Sequence, residues 1–192
     1  MENSSIFYKM MLNIIYDDRR PEKYDSFLEQ LRIQNIGHYK IWNCIVMNDV
    51  VKSINASHKM IVEDAKKQGL LFVVIAEDDI LFTSDNSWQW FLSNIPPVYD
   101  LYTAGNYLPI ENKKRGAVRV DCVVGFHLYI VHSRYYDTFL ATKDDDHIDT
   151  AQKSKLMYCC YPFAAIQRAG WSANNKAICD YNKILQPQDL YR

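Results

Sequence analysis

Residues 70–76 read Leu-Leu-Phe-Val-Val-Ile-Ala, seven apolar residues without alternation, and Glu77, Asp78 and Asp79 follow at once. An unbroken apolar run of this length predicts a strand buried on both faces, and so a mostly parallel central sheet flanked by helices. The chain turns apolar again at Ile80-Leu81-Phe82, which leaves the acids in a turn between two core segments. Three adjacent carboxylates repel one another, and burying one unpaired costs roughly several kcal/mol. A cation is therefore expected among them. In open α/β sheets, ligands bind beyond the carboxyl ends of the strands, which is where these acids fall. Hard oxygens facing a phosphate-bearing substrate favour Mg²⁺ or Mn²⁺. A solvated acidic turn is the plainer alternative.

The rest of the chain supplies alternating strands and helices. Ile6 to Tyr16 is apolar enough for a first strand, and Pro21 suits the first turn of a helix with Asp18 as its cap. Tyr24, Phe27, Leu28 and Leu31 recur at helical spacing, and Gly37 is placed to end that helix. Tyr39 to Met47 predicts a second strand, and Ser53 to Gln68 a second helix, stopped by Gly69. On that helix Ile54, His58, Ile61 and Ala65 share one face, so His58 points to the core or to the sheet edge.

Beyond the acidic triplet, Ser84 to Ser87 predicts a turn and cap for a short helix through Trp88, Trp90, Phe91 and Leu92, stopped by Pro96-Pro97. Strands are expected at residues 100–105, 118–124 and 126–132, then a helix capped by Ser133 that carries Tyr136, Phe139 and Leu140. Lys113-Lys114-Arg115 is a basic cluster fit for phosphate or simply for solvent. Residues 143–149 form a second acidic loop around His147, and the tail after Pro162 reads as irregular.

At 192 residues and without linker or repeat, one domain spanning residues 1–192 is expected. A net charge of -1 offers no bulk attraction to nucleic acid or anionic membrane, so strong non-specific nucleic-acid binding is not expected. No apolar run approaches a membrane span. Five cysteines without metal-type spacing, behind an N-terminus that does not read as a signal peptide, point to a reduced, cytoplasmic compartment.

Taken together, these residues resemble the GT-A glycosyltransferases, an α/β Rossmann-like sandwich, and within them the family-25 type, the lipooligosaccharide and collagen sugar transferases. The specific match is Ser57-His58, a helix, an apolar strand, then Glu77-Asp78-Asp79. Asp100-Leu101-Tyr102 with Gly105, Gly125 to Val131, Ile148-Asp149, and Pro162, Gln167 and Ser172 resemble later parts of the pattern. Ala173 stands where that family often has aspartate, and the chain is shorter than most members, which implies a reduced acceptor-binding region.

The resemblance implies a metal-dependent transferase, using Mn²⁺ or Mg²⁺, that moves a sugar from a nucleotide-sugar donor, a UDP-sugar, to a hydroxyl of a glycan, a protein or a modified base. It implies Asp79 as principal metal ligand with Glu77 in support, and His147 or His127 completing the shell. Arg19, Arg20, Ser57, His58, Glu77 and Asp78 would serve the donor. Alternate residues of an extended segment share a face, so Glu77 and Asp79 can converge while Asp78 turns to backbone amides. Asp149 is the expected general base of an inverting reaction, or else a helix cap. Three other readings stand beside this one: a catalytically silent binding module, a transferase acting on a modified nucleobase in DNA, and a nucleotidyl- or phosphotransferase. The last would want a Gly-rich phosphate loop, which the six glycines do not supply.

Overall fold

The computed structural model describes residues 10–192. Its centre is a seven-stranded sheet of β1 (Leu12–Tyr16), β2 (Tyr39–Asn43), β3 (Phe72–Glu77), β5 (Leu101–Thr103), β6 (Gly116–Arg119), β7 (Leu128–His132) and β8 (Met157–Tyr161). The order across the sheet is β2-β1-β3-β7-β5-β8-β6. β1 pairs in parallel with β2 and β3, and β5 with β8, while β7 and β6 run against their neighbours. Most strands thus share one direction, and the α/β sandwich expected from the apolar run is what the chain forms. The run itself lies between a parallel and an antiparallel partner, since what it demands is cover on both faces rather than a neighbour of given direction.

That cover is visible residue by residue. Val74 and Ala76 of β3 join one core with Phe27 and Leu31 of α1 (Glu22–Ile33) and Trp88, Phe91 and Leu92 of α3 (Ser87–Ser93). Val73 and Ile75 join a second core with Ile61, Val62 and Ala65 of α2 (Val50–Lys67) and Phe139 of α4 (Tyr136–Leu140). α1 and α2 thus cover opposite faces, as two right-handed crossovers running opposite ways over the sheet require.

Several local expectations shift. The first strand starts at Leu12, and Ile6 to Lys9 lie outside the described residues. Pro21 itself holds the cap position of α1; Asp18 does not cap it. Asn35, at φ 55, supplies the left-handed residue after α1 in place of Gly37. β2 stops at Asn43: the Cys44 amide still bonds the Tyr16 carbonyl at 2.8 Å, and beyond it the Ile45 amide bonds the Ser57 hydroxyl and the Met47 amide Ser53, each at 2.8 Å. α2 starts at Val50, where Asp49 accepts the Lys52 amide, and ends at Lys67, with Gly69 at φ 66 two residues on. Gln34, reaching from α1, accepts the Trp88 amide at 2.9 Å and so caps α3, which ends at Ser93 ahead of the prolines. His132 rather than Ser133 accepts the Arg134 amide at the next turn.

The largest departure is the tail after Pro162, which carries β9 (Ala165–Gln167), β10 (Gly170–Ser172) and β11 (Ala177–Cys179), and β8 just ahead of it was not expected either. β9 pairs antiparallel with β4 (Ile80–Phe82), matching Ile80 with Gln167, and β10 with β11 forms a hairpin. These strands have at most five residues each, too short for periodicity to show. Two of the three residues of the basic cluster are used structurally: Lys113 bonds Asp189 at 2.6 Å, and Arg115 lies 4.3 Å over Trp90, which stacks on Tyr191. All five cysteines are free. Among the described residues no helix is long and apolar enough to cross a membrane.

Gly105 marks a close approach behind the acidic turn. A methyl group there would lie 2.4 Å from the Ala165 carbonyl oxygen and 3.0 Å from His127 Nε2. A backbone oxygen in a strand cannot move aside cheaply, so Gly105→Ala is expected to destabilise the fold by about 1–3 kcal/mol. Urea denaturation checks this; an unchanged midpoint would contradict the packing described here.

Candidate active site

β1 leads through α1 to β2 on one side, while β3 lies on the other, so the sheet changes winding direction between β1 and β3. Ligand sites in open α/β sheets form at such points, beyond the carboxyl ends of the strands. Here the two strand ends are stitched together. The Asp17 amide donates to Asp78 Oδ2 at 3.0 Å, and Lys23, on the first turn of α1, donates to Asp78 Oδ1 at 2.5 Å and to Asp79 Oδ2 at 3.4 Å. The β4–β9 pairing brings Gln167 to Asp79 Oδ2 at 3.1 Å, and the Arg168 amide donates to the Asp79 carbonyl at 2.7 Å. Asp79 Oδ1 is buried with no partner.

The charges answer to this geometry. Burial, with the nearby Glu77 carboxylate, pushes Asp79 up to about 7 despite the pull of Lys23. Burial also raises Asp78, outweighing Lys23 and the Asp17 amide. Burial alone would lower Lys23, but the two aspartates outweigh it and hold the ammonium above its usual range. Glu77 goes the other way: burial would raise it, but the hydrogen bond from His58 prevails and holds it low.

His58 is 1% exposed, yet it belongs to the site. Its Nε2 meets Glu77 Oε1 at 3.1 Å and its Nδ1 meets the Tyr129 hydroxyl at 2.6 Å. Ser57 faces the β2–α2 loop, accepting the Ile45 amide and donating to the Ser53 carbonyl at 2.7 Å. It shapes the wall rather than offering a free hydroxyl.

Two cavities open at this end of the sheet. One, about 220 Å³, is lined by Arg19, Arg20, Lys23, Ser57, His58, Glu77, Asp78, Asp79 and Trp171 among others. The other, about 310 Å³, is lined by Tyr107, Gly125, His147, Asp149 and Tyr181 among others. Ile54, Glu77, Gln167, Ser172 and Asn174 line both, so the cavities meet at Glu77 and Gln167. Arg19 is paired with Asp17 through two bonds of 2.7 Å, and Arg20 donates to the Trp171 carbonyl at 3.0 Å, holding the β10–β11 hairpin at the cleft.

Asp149 stands in the second cavity with both oxygens accepting amides, Gly125 at 2.9 Å and Thr150 at 2.7 Å. Its loop is held on α2 by Asn55, whose side-chain nitrogen reaches the carbonyls of Lys143, Asp144 and Asp146, and by Lys59 at 2.8 Å from Asp144. His147 lies in this cavity and is not joined to Glu77 and Asp79. Among the described residues, no three His, Cys, Asp or Glu side chains come together to hold a metal. His127 lies behind the site, its Nε2 donating to the Ala165 carbonyl at 2.9 Å, with burial pulling its pKa down; it lines neither cavity. Lys23 and Tyr129 complete the arrangement without having been singled out in the sequence, and Gln167 and Trp171, landmarks of the tail there, had been given no role at the acids. For Lys23 the signal was the need of three acids for a cation, and for Gln167 its place in the family resemblance.

No protein-family model matches the sequence, and no curated protein matches it. Among solved structures the chain is similar to A197 from STIV, at 14% identity over 95% of this chain and 97% of that one, with a TM-score of 0.52. That likeness shows a shared fold. The chain is also similar to a glycosyltransferase involved in the glycosylation of the major capsid of PBCV-1, at 10% identity over 67% of this chain and 62% of that one, TM-score 0.43. A Drosophila β1,4-galactosyltransferase 7 mutant in complex with manganese, UDP-Gal and xylobiose matches at 11% identity over 68% of this chain and 52% of that one, TM-score 0.40.

Proposed function

We propose that this protein is a glycosyltransferase that moves a sugar from a nucleotide sugar, a UDP-sugar, to an acceptor hydroxyl. The observation that carries the reading is the pair of cavities meeting at Glu77, beyond the carboxyl ends of β1, β2 and β3. A transfer between two substrates needs two compartments with one shared point. The first cavity has the cations a diphosphate requires, Arg19, Arg20 and Lys23, and the second has the carboxylate Asp149 to receive a proton. The net charge of -1, and the structural use of Lys113 and Arg115, weigh against a DNA acceptor.

The residues fit a divalent cation, Mn²⁺ or Mg²⁺, held by Asp79 with Glu77. Asp79 Oδ1 is a buried carboxylate oxygen lacking a partner, and such ions commonly take only one or two protein carboxylates, the rest of the shell being substrate phosphate and water. Bound there, the ion would neutralise charge developing on the leaving diphosphate. His58 fixes Glu77, Arg20 anchors Trp171 over the cleft, and each Asp149 oxygen keeps one lone pair for the acceptor proton. A second reading rests on Lys23, which already places one positive charge on Asp78 and Asp79: transfer would then proceed without metal. Thermal shifts with a panel of nucleotide sugars, with Mn²⁺ and with chelator, test the reading, because a ligand bound only by the native state raises its stability. UDP-sugars stabilising only with Mn²⁺ support the metal-dependent form, and equal shifts in chelator support Lys23. No shift with any nucleotide sugar would overturn the proposal.

Asp79→Asn has two expected effects of opposite sign. Folding holds this carboxyl protonated to about 7 against a usual 3.8. Between those values the unfolded chain ionises while the folded one does not, so the group costs stability as pH rises. The ligand-free variant should therefore be more stable than wild type by about 1–2 kcal/mol at pH 7.5, with no gain at pH 4. It should also lose any Mn²⁺-dependent affinity for UDP in calorimetric titration. A variant less stable at pH 7.5 than at pH 4, relative to wild type, would contradict the charge assignment.

Asp149→Asn should keep UDP affinity while sugar transfer falls about 10²–10⁴-fold, with an inverted anomer in the product by NMR. Near wild-type turnover, or a retained anomer, would leave Asp149 only its two amide bonds.

A further inference from the structure

We infer that Tyr129 is a positioning residue, acting through His58 to hold Glu77 at the junction of the two cavities. The importance of that junction rests on the glycosyltransferase reading; the hydrogen-bonded chain that makes it does not.

Tyr129 is fully buried in an aromatic cluster, its ring 4.2 Å from Phe126 and 6.2 Å from Phe139, centroid to centroid. Its hydroxyl bonds to His58 Nδ1 at 2.6 Å, and His58 Nε2 bonds to Glu77 Oε1 at 3.1 Å. Burial keeps the phenol protonated. An ionised carboxylate can only accept, so Nε2 must carry a hydrogen. In the neutral ring Nδ1 is then a lone pair, and the Tyr129 O–H is the donor that satisfies it. The tautomer is fixed from both ends.

Filling this space does not require polar atoms. Phenylalanine in place of Tyr129 and an apolar side chain in place of His58 would pack the cluster without burying two hydrogen-bonding groups. What the polar chain adds is aim. The Glu77 amide already donates to the His127 carbonyl at 3.2 Å, which ties its backbone, and His58 ties Oε1. Oε2 has no hydrogen bond among the described residues, and Glu77 lines both cavities. Without the histidine bond, the carboxylate could rotate into either cavity; with it, one oxygen is held at the boundary.

The test combines NMR with binding. In wild type, long-range ¹H–¹⁵N spectra of His58 at a pH where the ring is neutral should show the Nε2–H form with Nδ1 shifted as a hydrogen-bond acceptor, and in Tyr129→Phe the same form with the Nδ1 shift of an unbonded lone pair. Titration with UDP in Mn²⁺ should show affinity about tenfold lower in Tyr129→Phe, while a His58→Gln background, whose amide can donate to Glu77 without Tyr129, should make the same change silent. That cycle separates action through His58 from a general loss of packing. An Nδ1–H wild type, unchanged UDP affinity in Tyr129→Phe, or an equal loss in both backgrounds would overturn the inference. If wild type ignores UDP but shows an Nδ1 hydrogen-bond shift that Tyr129→Phe loses, the donor reading falls while the relay stands.

Discussion

Three acids at the end of one buried strand must be reconciled with a hydrophobic core, and the surrounding structure is built around doing so. The solution divides them. Asp78 is satisfied by the Asp17 amide and the Lys23 ammonium, and thereby ties β3 to β1 and α1. Glu77 is satisfied by His58 and so by α2. Asp79 receives Gln167 and a long contact from Lys23, keeps one buried oxygen bare, and is consequently the acid whose ionisation is hardest. The carboxylates recruit partners from β1, α1, α2 and β9, and these elements converge on one turn because of it. The same division leaves a strained charge at the place where a cationic ligand would relieve it, the usual trade of stability for function.

The sheet's two faces carry unequal work. Towards α1 and α3 the core is aliphatic and aromatic packing, closed by the buried glutamines Gln30 and Gln34, which bond the Phe82 and Trp88 amides. Towards α2 and α4 the packing is interrupted by His58 and Tyr129, a polar thread through stacked rings. α2 also holds the second acidic loop through Asn55 and Lys59, so one helix positions both Glu77 and the loop bearing Asp149. The surface pairs in that loop contribute little by themselves; the buried Asn55 amide is the stronger tether.

The tail closes the site from the remaining side. β9 delivers Gln167 to Asp79, and the hairpin that follows places Trp171 at the cleft mouth. Asp189 anchors the end of the chain by accepting from Lys113 at 2.6 Å, the Tyr161 hydroxyl at 3.0 Å and the Gln186 amide at 3.0 Å. Two residues of a basic cluster that looked available for phosphate, Lys113 and Arg115, are thus part of a seam within the protein itself.

By itself the sequence determined the α/β class, the buried centre strand, both long helices and the acidic turn that the cavities surround. These rest on local rules: an apolar run needs two covers, an i, i+3, i+4 stripe needs one, and glycine or asparagine must follow a helix. It also placed Ser57, His58, Glu77 and Asp79 within one short stretch, close enough for chain connectivity alone to bring them near. Only the tertiary structure decided that β7 runs against β3, that the tail is β-sheet, that Lys23 and Gln167 meet the acids, and that Tyr129 meets His58. Each of those partners lies 55 or more residues from the group it bonds, Lys23 and Asp78 being the pair at 55. No local pattern encodes such a meeting, because a single hydrogen-bonding side chain leaves no periodicity, and its partner is chosen by strand register and helix packing rather than by its neighbours in the chain.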